Sequence, residues 1–308
     1  MSTIWRGVFP AVTTKFNEAG QIDAAAMTQH INEQIEAGVH GIIVLGTLGE
    51  NAVLSASEKM EIVKLALAAS GSRVPVVATV AETTTSGACQ FAKDAAEAGI
   101  DGFMVLPGMQ YVSDSRETMV HFRTVAKATN LPIMIYNNPV SYRVDITPEM
   151  FAELADEPNF VAIKESSDDV RRLTDIRNLT GDRYQIFTGV DDLAFESLVL
   201  GAVGWVAGLV CAFPRETVAI YELVQQGRIQ EAREIYRWFM PLLHLDVSTK
   251  LVQNIKLAEA MVGCGTEYVR APRLILAGEE RERAVQIISK ALESRPVLPE
   301  LTQETSMA

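Results

Sequence analysis

Short apolar runs alternate along this chain with longer segments of helical period. The runs are GVFPAVTT (7–14), GIIVLGT (41–47), VPVVATV (74–80), GFMVLP (102–107), PIMIYNN (132–138), FVAIKES (160–166), YQIFTGV (184–190) and GWVAGLV (204–210). Most are rich in Val and Ile, and several are apolar at consecutive positions. Parallel strands have this pattern when helices cover the sheet. The helical segments between them include residues 23–38, 55–70, 85–99 and 116–129. Glycine ends the first and third of these, the usual residue just past a helix, and Ser55 or Ser57 ahead of Glu58 predicts a cap for the second.

Eight such strand–helix units, roughly 25–30 residues apart, predict a closed (β/α)8 TIM barrel. A doubly wound sheet is the rival, but its G-x-G-x-x-G turn after the first strand is missing. Beyond the eighth unit the pattern is helical only, at 228–245, 251–263 and 279–294. The predicted organisation is therefore a catalytic barrel over 1–227 and a C-terminal helical appendage over 228–308. Ile235, Trp238, Phe239, Leu242 and Leu243 form an apolar stripe on the first appendage helix, expected to pack as core. The last residues, 301–308, are expected to be a short polar tail.

The formal charge of -12 changes the picture by exclusion. An acidic surface argues against nucleic-acid or anionic-membrane partners, which require positive footprints. No signal peptide and no membrane span is read from the chain, so a cytoplasmic protein is expected. The three cysteines and four histidines show no metal-ligand spacing and no disulfide framework, so no protein-built metal site is expected.

Active sites of such barrels lie at the C-terminal ends of the strands. Those ends carry Thr13, Thr14 and Lys15; Gly46 and Thr47; Pro107; Tyr136, Asn137 and Asn138; Lys164 and Glu165; Gly189 and Asp191; and Ala207 and Gly208. Lys164 ends an apolar strand. Alternation puts it on one face with Ala162 and Phe160, and Val161 with Ile163 on the other. If the latter pair packs under helices, Lys164 points into the barrel mouth. Desolvation there disfavours an ammonium, and a neutral amine is what Schiff-base chemistry needs. The competing reading is a strand-end lysine in solvent or paired with Glu165. Lys15 is a second candidate nucleophile, read as solvated. The remaining lysines, Lys59 and Lys256 among them, fall in helical patterns and read as surface residues. Tyr136 is placed to exchange a proton with a bound substrate or to pack at the rim. Gly46 to Glu50 turns from the second strand toward the next helix, as a cradle for a carboxylate or as a plain tight turn.

These residues resemble the dihydrodipicolinate synthase / N-acetylneuraminate lyase family over almost the whole chain. Gly46-Thr47-Leu48-Gly49-Glu50 resembles its G-T-T-G-E turn, Tyr136-Asn137-Asn138-Pro139 its Y-N-x-P, and Ile163-Lys164-Glu165 its strand-six motif. Gly189 and the stretch Gly204 to Gly208, with Val206 inside it, match its strand-seven and strand-eight positions. The resemblance implies that Lys164 attacks C2 of a small α-keto acid or cyclic imino acid. Thr47 and the Leu48 backbone then bind the C1 carboxylate, Tyr136 relays protons, and no cofactor is used. It also implies a homo-oligomer, a dimer or tetramer, in which a neighbour's tyrosine joins the relay. Tyr111 is the candidate, although its loop PGMQYVSD departs from the family's P-Y-Y.

Two further departures bear on substrate. Leu48 stands where the family has a second threonine. The arginine of Y-N-x-P-x-R is displaced, with Ser141 in its place and Arg143 two residues on, either reaching the site or solvated. Both argue against a standard dihydrodipicolinate synthase. The stretches YNNPVSYRVDITPE (136–149), DDVRRLTDIRN (168–178), GVDDLAFES (189–197), CAFPRE (211–216) and YRWFMPLLHLD (236–246) are similar to a subgroup, the Δ1-pyrroline-4-hydroxy-2-carboxylate deaminases of hydroxyproline breakdown. That likeness implies a deaminase giving 2-oxoglutarate semialdehyde and ammonia. The alternatives are the synthase itself, a 2-keto-3-deoxy sugar-acid dehydratase or aldolase, and, in another class, a non-catalytic binding barrel.

Overall fold

Each apolar run forms a strand in the computed structural model of the protein, which describes residues 5–108 and 110–301. The strands are β1 (Gly7–Pro10), β2 (Ile42–Val44), β3 (Val76–Val80), β4 (Gly102–Val105), β5 (Ile133–Asn137), β6 (Phe160–Glu165), β7 (Gln185–Thr188) and β8 (Gly204–Ala207). All pair in parallel in the order β1-β8-β7-β6-β5-β4-β3-β2. A parallel bridge between Ala11 and Ile43 brings the two ends of the sheet together. The fold is the expected TIM barrel, with helices continuing past the eighth strand.

Helices α1 (Ala24–Glu36), α2 (Ala56–Ser70), α3 (Thr85–Glu97) and α4 (Ser115–Ala126) follow the first four strands. A short α5 (Pro139–Tyr142) and α6 (Pro148–Glu153) follow β5. Then come α7 (Arg171–Thr180), α8 (Ala194–Val199), α9 (Pro214–Gln225), α10 (Ile229–Asp246), α11 (Leu251–Val262) and α12 (Gly278–Glu293). Ser55 caps α2 in a reciprocal capping box with Glu58. Gly38 and Gly99, just past α1 and α3, have φ of 95° and 94°, conformations that favour glycine.

The strands bury both faces. One side chain from every strand fills the barrel interior: Phe9, Ile43, Val77, Met104, Met134, Ala162, Phe187 and Val206. Their neighbours, such as Val8, Ile42, Val76, Phe103, Ile133, Ile163, Ile186 and Trp205, face the helices. Phe9 and Phe187 meet edge to face with centroids 5.3 Å apart. Gly41 and Gly204 make room for them, since a Cβ at either would strike the adjacent ring. This is why two of the apolar runs open on glycine.

Strict alternation fails at one point. Ile133 pairs with Phe160 but Met134 pairs with Ala162, so Val161 is an extra residue on β6. This bulge turns Phe160 outward into the helix-facing core, while Val161 packs against the interior cluster. Phe160 therefore does not share a face with Lys164 as alternation alone predicts. Ala162 and Lys164 do point inward, because the bulge lies before both.

The chain's apolar stripe on α10 is buried at Ile235, Phe239, Leu242 and Leu243, with Tyr236 added. Trp238 is half-buried and donates its indole N–H to the Ala291 carbonyl at 3.0 Å, tying α10 to α12. The expected division at 227/228 falls in the turn between α9 and α10. α10 runs back across the barrel so that its last residue, Asp246, reaches the mouth. Among the described residues no helix is long and apolar enough to cross a membrane. The polar tail beyond Leu301 lies outside the described residues.

Candidate active site

The strand ends enclose a cavity of about 150 Å³ at the barrel mouth, a volume that admits a ligand about the size of benzene. Gly46, Thr47 and Leu48 line it from the β2 turn, and Tyr136, Asn138, Ser141 and Tyr142 from the β5 loop. Lys164, Ser166, Gly189 and Val206 form its floor and wall, and Asp246 to Ser248 close it from the end of α10.

Lys164 is buried, and β-sheet register sets it beside Tyr136. Its Nζ lies 4.0 Å from the centroid of the Tyr136 ring. Glu165 takes the opposite face. It accepts from Ser167 N at 2.8 Å and from Asn137 Nδ2 at 3.1 Å, so it is engaged away from the lysine. Burial pushes the Glu165 carboxyl above its usual range. Among the described residues no carboxylate lies within ion-pair distance of Lys164, so the alternative of a lysine paired with Glu165 is not observed. Gly189 belongs to the same arrangement. A Cβ there would collide with Lys164 Cε and Ser166 Oγ, so only glycine lets the lysine lie as it does.

A line of hydroxyls runs from the lysine to the β2 turn. Asn138 Nδ2 donates to the Tyr136 hydroxyl at 3.1 Å. Tyr142 sets its ring edge-on to Tyr136, with centroids 5.4 Å apart, and its hydroxyl lies 2.6 Å from Thr47 Oγ1. Burial raises the Tyr136 pKa. The charge of Lys164 and hydrogen bonds from Asn138, Lys164 and Tyr142 outweigh it, leaving the phenol below its ordinary value. Burial, and then the neighbouring Tyr136, pushes Tyr142 well above it. The two phenols thus differ in direction, with Tyr136 held below its ordinary value and Tyr142 above it.

The turn after β2 is held from beneath. Glu50 is fully buried in a left-handed conformation and accepts from Lys256 Nζ at 2.6 Å and Arg270 N at 3.0 Å. Gly49 packs on the backbone of Leu45 and Val12, and its carbonyl accepts from Thr14 Oγ1 at 2.6 Å, so it supports the turn without lining the cavity. The turn leads into a single 3-10 turn, Asn51–Val53, and α2 begins only at Ala56. Among the described residues no α-helix N-terminus abuts the cavity from this side, so a carboxylate cradled by the turn would meet no helix end there. On this side the cavity is lined by Gly46, Thr47 and Leu48.

Arg143 ends α5 in a left-handed conformation, exposed, and is not part of the cavity lining. Tyr111 is also exposed. It donates to Glu117 at 3.0 Å and lines a separate surface pocket beside His121, so this chain's own cavity does not contain it. Lys15 is not solvated. It is 3% exposed, bonded to Glu259 at 2.7 Å and to Thr13 at 2.9 Å, which makes it a structural cation. Lys59 and Lys256 are likewise buried in ion pairs, with Glu82 and Glu50, not surface residues. The fold also gathers His30, Cys211 and Glu259, whose ligand atoms lie within 4.8 Å of one another although far apart in sequence. Lys15 already supplies the cation that Glu259 faces there.

Tyr142 and Asp246 were not singled out from the sequence. Tyr142 stands six residues after Tyr136, where a one-turn helix folds it back over that ring. Asp246 enters through the path of α10, which no local pattern encodes.

A model of the dihydrodipicolinate synthetase family matches residues 5–291 of the chain. The 4-hydroxy-tetrahydrodipicolinate synthase of Methanospirillum hungatei is 31% identical over 290 residues, covering 93% of this chain and 99% of that protein. The enzyme of that name from Methanothrix thermoacetophila is 31% identical over 288 residues, covering 93% and 97%. Among solved structures, the 4-hydroxy-tetrahydrodipicolinate synthase of Methylacidiphilum fumariolicum SolV superposes with a TM-score of 0.90 at 29% identity, covering 94% of this chain and 97% of that one.

Proposed function

The chain belongs to the dihydrodipicolinate synthetase family, a family of Schiff-base lyases, and from that premise we propose that Lys164 forms the Schiff base with C2 of a small α-keto acid or its cyclic imine. The observation that carries this is the placement of Lys164, buried at the barrel mouth, over Tyr136 and without a carboxylate partner among the described residues. The amine adds to C2, and the carbonyl oxygen leaves as water, or the ring nitrogen of a cyclic imine leaves as an amine. The cationic imine then acidifies C3, and loss of a C3 proton toward the Tyr136 relay gives an enamine.

Two outcomes are open to that enamine. Condensation with an aldehyde is supported by the names of the relatives, which are synthases. Elimination of a C4 hydroxyl, followed by release of ammonia, is supported by the cavity. Leu48 brings an apolar side chain where a synthase has a hydroxyl, and Arg143 stands outside the lining. Elimination, as in a Δ1-pyrroline-4-hydroxy-2-carboxylate deaminase, is the reading proposed for this chain. The test is to supply that hydroxylated imine, or pyruvate with aspartate semialdehyde, and follow ammonia and condensation product. Ammonia release from the imine supports elimination. A condensation product with no ammonia reassigns the chain to the synthase reaction.

A further inference from the structure

Asp246 ends α10 and extends over β8 into the cavity that holds Lys164. Its carboxyl lies directly against Gly208, where any Cβ would collide with Asp246 Oδ1. Behind it lies Asp191, 1% exposed, whose charge acts on Asp246.

The surroundings of the two carboxyls differ. Asp191 accepts from Trp205 Nε1 at 2.8 Å, Leu209 N at 2.9 Å and Gly208 N at 3.2 Å. N–H donors aimed at a carboxyl stabilise its ionised form. No such donor serves Asp246 among the described hydrogen bonds, so its ionised form lacks the support that Asp191 has, although burial leaves Asp191 too above its usual range. Burial, followed by the charge of Asp191, pushes Asp246 well above the usual carboxyl range, with Asp192 adding in the same direction and Lys164 opposing. A carboxyl enclosed beside another carboxylate keeps its proton to higher pH than a solvated one.

We propose that Asp246 is the general acid that protonates the hydroxyl leaving C4 of the Lys164-bound substrate, with Asp191 as its positioning residue. The proposal rests on the Schiff-base reading of Lys164 and on the elimination reading proposed above. Hydroxide is a poor leaving group, so the step needs a proton at the oxygen. The enamine nitrogen pushes its lone pair toward C2, the C2–C3 π pair moves to C3–C4, and the C4–O bond breaks. The oxygen takes the Asp246 proton and departs as water, leaving an unsaturated iminium on Lys164 and a carboxylate on Asp246. The positive iminium offsets the second carboxylate while it lasts. The proton taken from C3 is available to restore the acid, so the cycle balances without any oxidant or reductant.

The test compares wild type with D246N and D246S in three measurements. Borohydride trapping of pyruvate on Lys164 reports whether the nucleophile and the folded site are intact. Elimination is then followed from the 4-hydroxylated pyrroline acid and from its 4-chloro analogue, whose chloride leaves without a proton. The expected result is trapping in all three proteins, loss of water elimination by about 10²–10⁴-fold in both variants, and chloride elimination within a few-fold of wild type. Equal loss with both leaving groups, or undiminished water elimination, overturns the role of Asp246. Wild type that traps pyruvate yet eliminates neither group also overturns it. Absence of trapping in wild type sinks the Schiff-base reading itself, a separate failure.

Discussion

Tyr136 and Lys164 are direct register partners on neighbouring parallel strands, and the lysine amine lies 4.0 Å from the centre of the tyrosine ring. The backbone hydrogen bonds of β5 and β6 therefore hold the proposed nucleophile and the proposed proton-transfer group together. Lys164→Met is expected to abolish turnover, by roughly 10³-fold or more, with the fold intact because the apolar stem is kept. Tyr136→Phe retains the ring beneath the lysine and removes only the hydroxyl. It is expected to lower kcat by about 10²–10⁴-fold while trapping on Lys164 persists, read by steady-state rates beside mass spectrometry.

Gly189 has its importance through space and not through conformation. Gly189→Ala puts a methyl group into Lys164 Cε and Ser166 Oγ. The lysine must swing out of its position over Tyr136, so kcat is expected to fall at least about tenfold, a loss that small misplacements of a reacting group readily cause. Thermal unfolding should shift little beside that change. A fully active G189A protein would show that the lysine need not occupy this position.

Tyr142 links Thr47 to Tyr136 within one chain. Tyr142→Phe is expected to slow proton transfer by about a hundredfold, at the low end of general acid–base effects, with KM changed much less than kcat. Tyr111 does not line this cavity, so Tyr111→Phe, assayed in parallel, separates a relay completed within the chain from one completed by a neighbour.

Beneath the β2 turn, Lys15 and Glu259 form a buried ion pair at 2.7 Å. Glu259→Gln leaves the Lys15 charge enclosed without its partner and is expected to cost about 3–5 kcal/mol in a urea titration. His30 lies in the same cluster, fully enclosed, with neither ring nitrogen hydrogen-bonded among the described residues. Burial, and then the charge of Lys15, holds its pKa well below the ordinary value. Below about pH 6.5 the unfolded chain therefore binds a proton that the folded one refuses. Folded stability contributed by neutral His30 is complete above that pH and declines as pH falls, by about 1.4 kcal/mol per unit. The raised carboxyls Glu165, Asp191 and Asp246 act in the opposite direction. The measurement is thus the difference between wild type and His30→Gln at pH 7.5 and 5.5. Wild type should lose stability relative to the variant at the lower pH, and a constant difference would contradict the assignment.

The barrel was legible because its strands are apolar on both faces and its helices carry their own caps. Ser55 with Glu58, and Gly38 and Gly99 past their helices, lie within a few residues of the elements they end. Lys164 and Tyr136 were legible for the same reason, since strand ends are local features. What local patterns missed depends on distant partners. Lys15, Lys59 and Lys256 have the pattern of exposed lysines, and their burial is set by Glu259, Glu82 and Glu50, up to 246 residues away for the cluster around Glu259. Phe160 faces the helices because one inserted residue on β6 breaks the alternation. Asp246 reaches the cavity only because α10 crosses the barrel mouth, a matter of tertiary path and not of composition.

The identity of the nucleophile is tested most directly by incubating the protein with pyruvate, and separately with the hydroxylated pyrroline acid, in the presence of borohydride, then mapping the modified peptide by mass spectrometry. A single reduced adduct on Lys164, absent from Lys164→Met, is the predicted result. An adduct on Lys15 or another lysine with Lys164 unmodified, or no adduct with either substrate, would contradict the account.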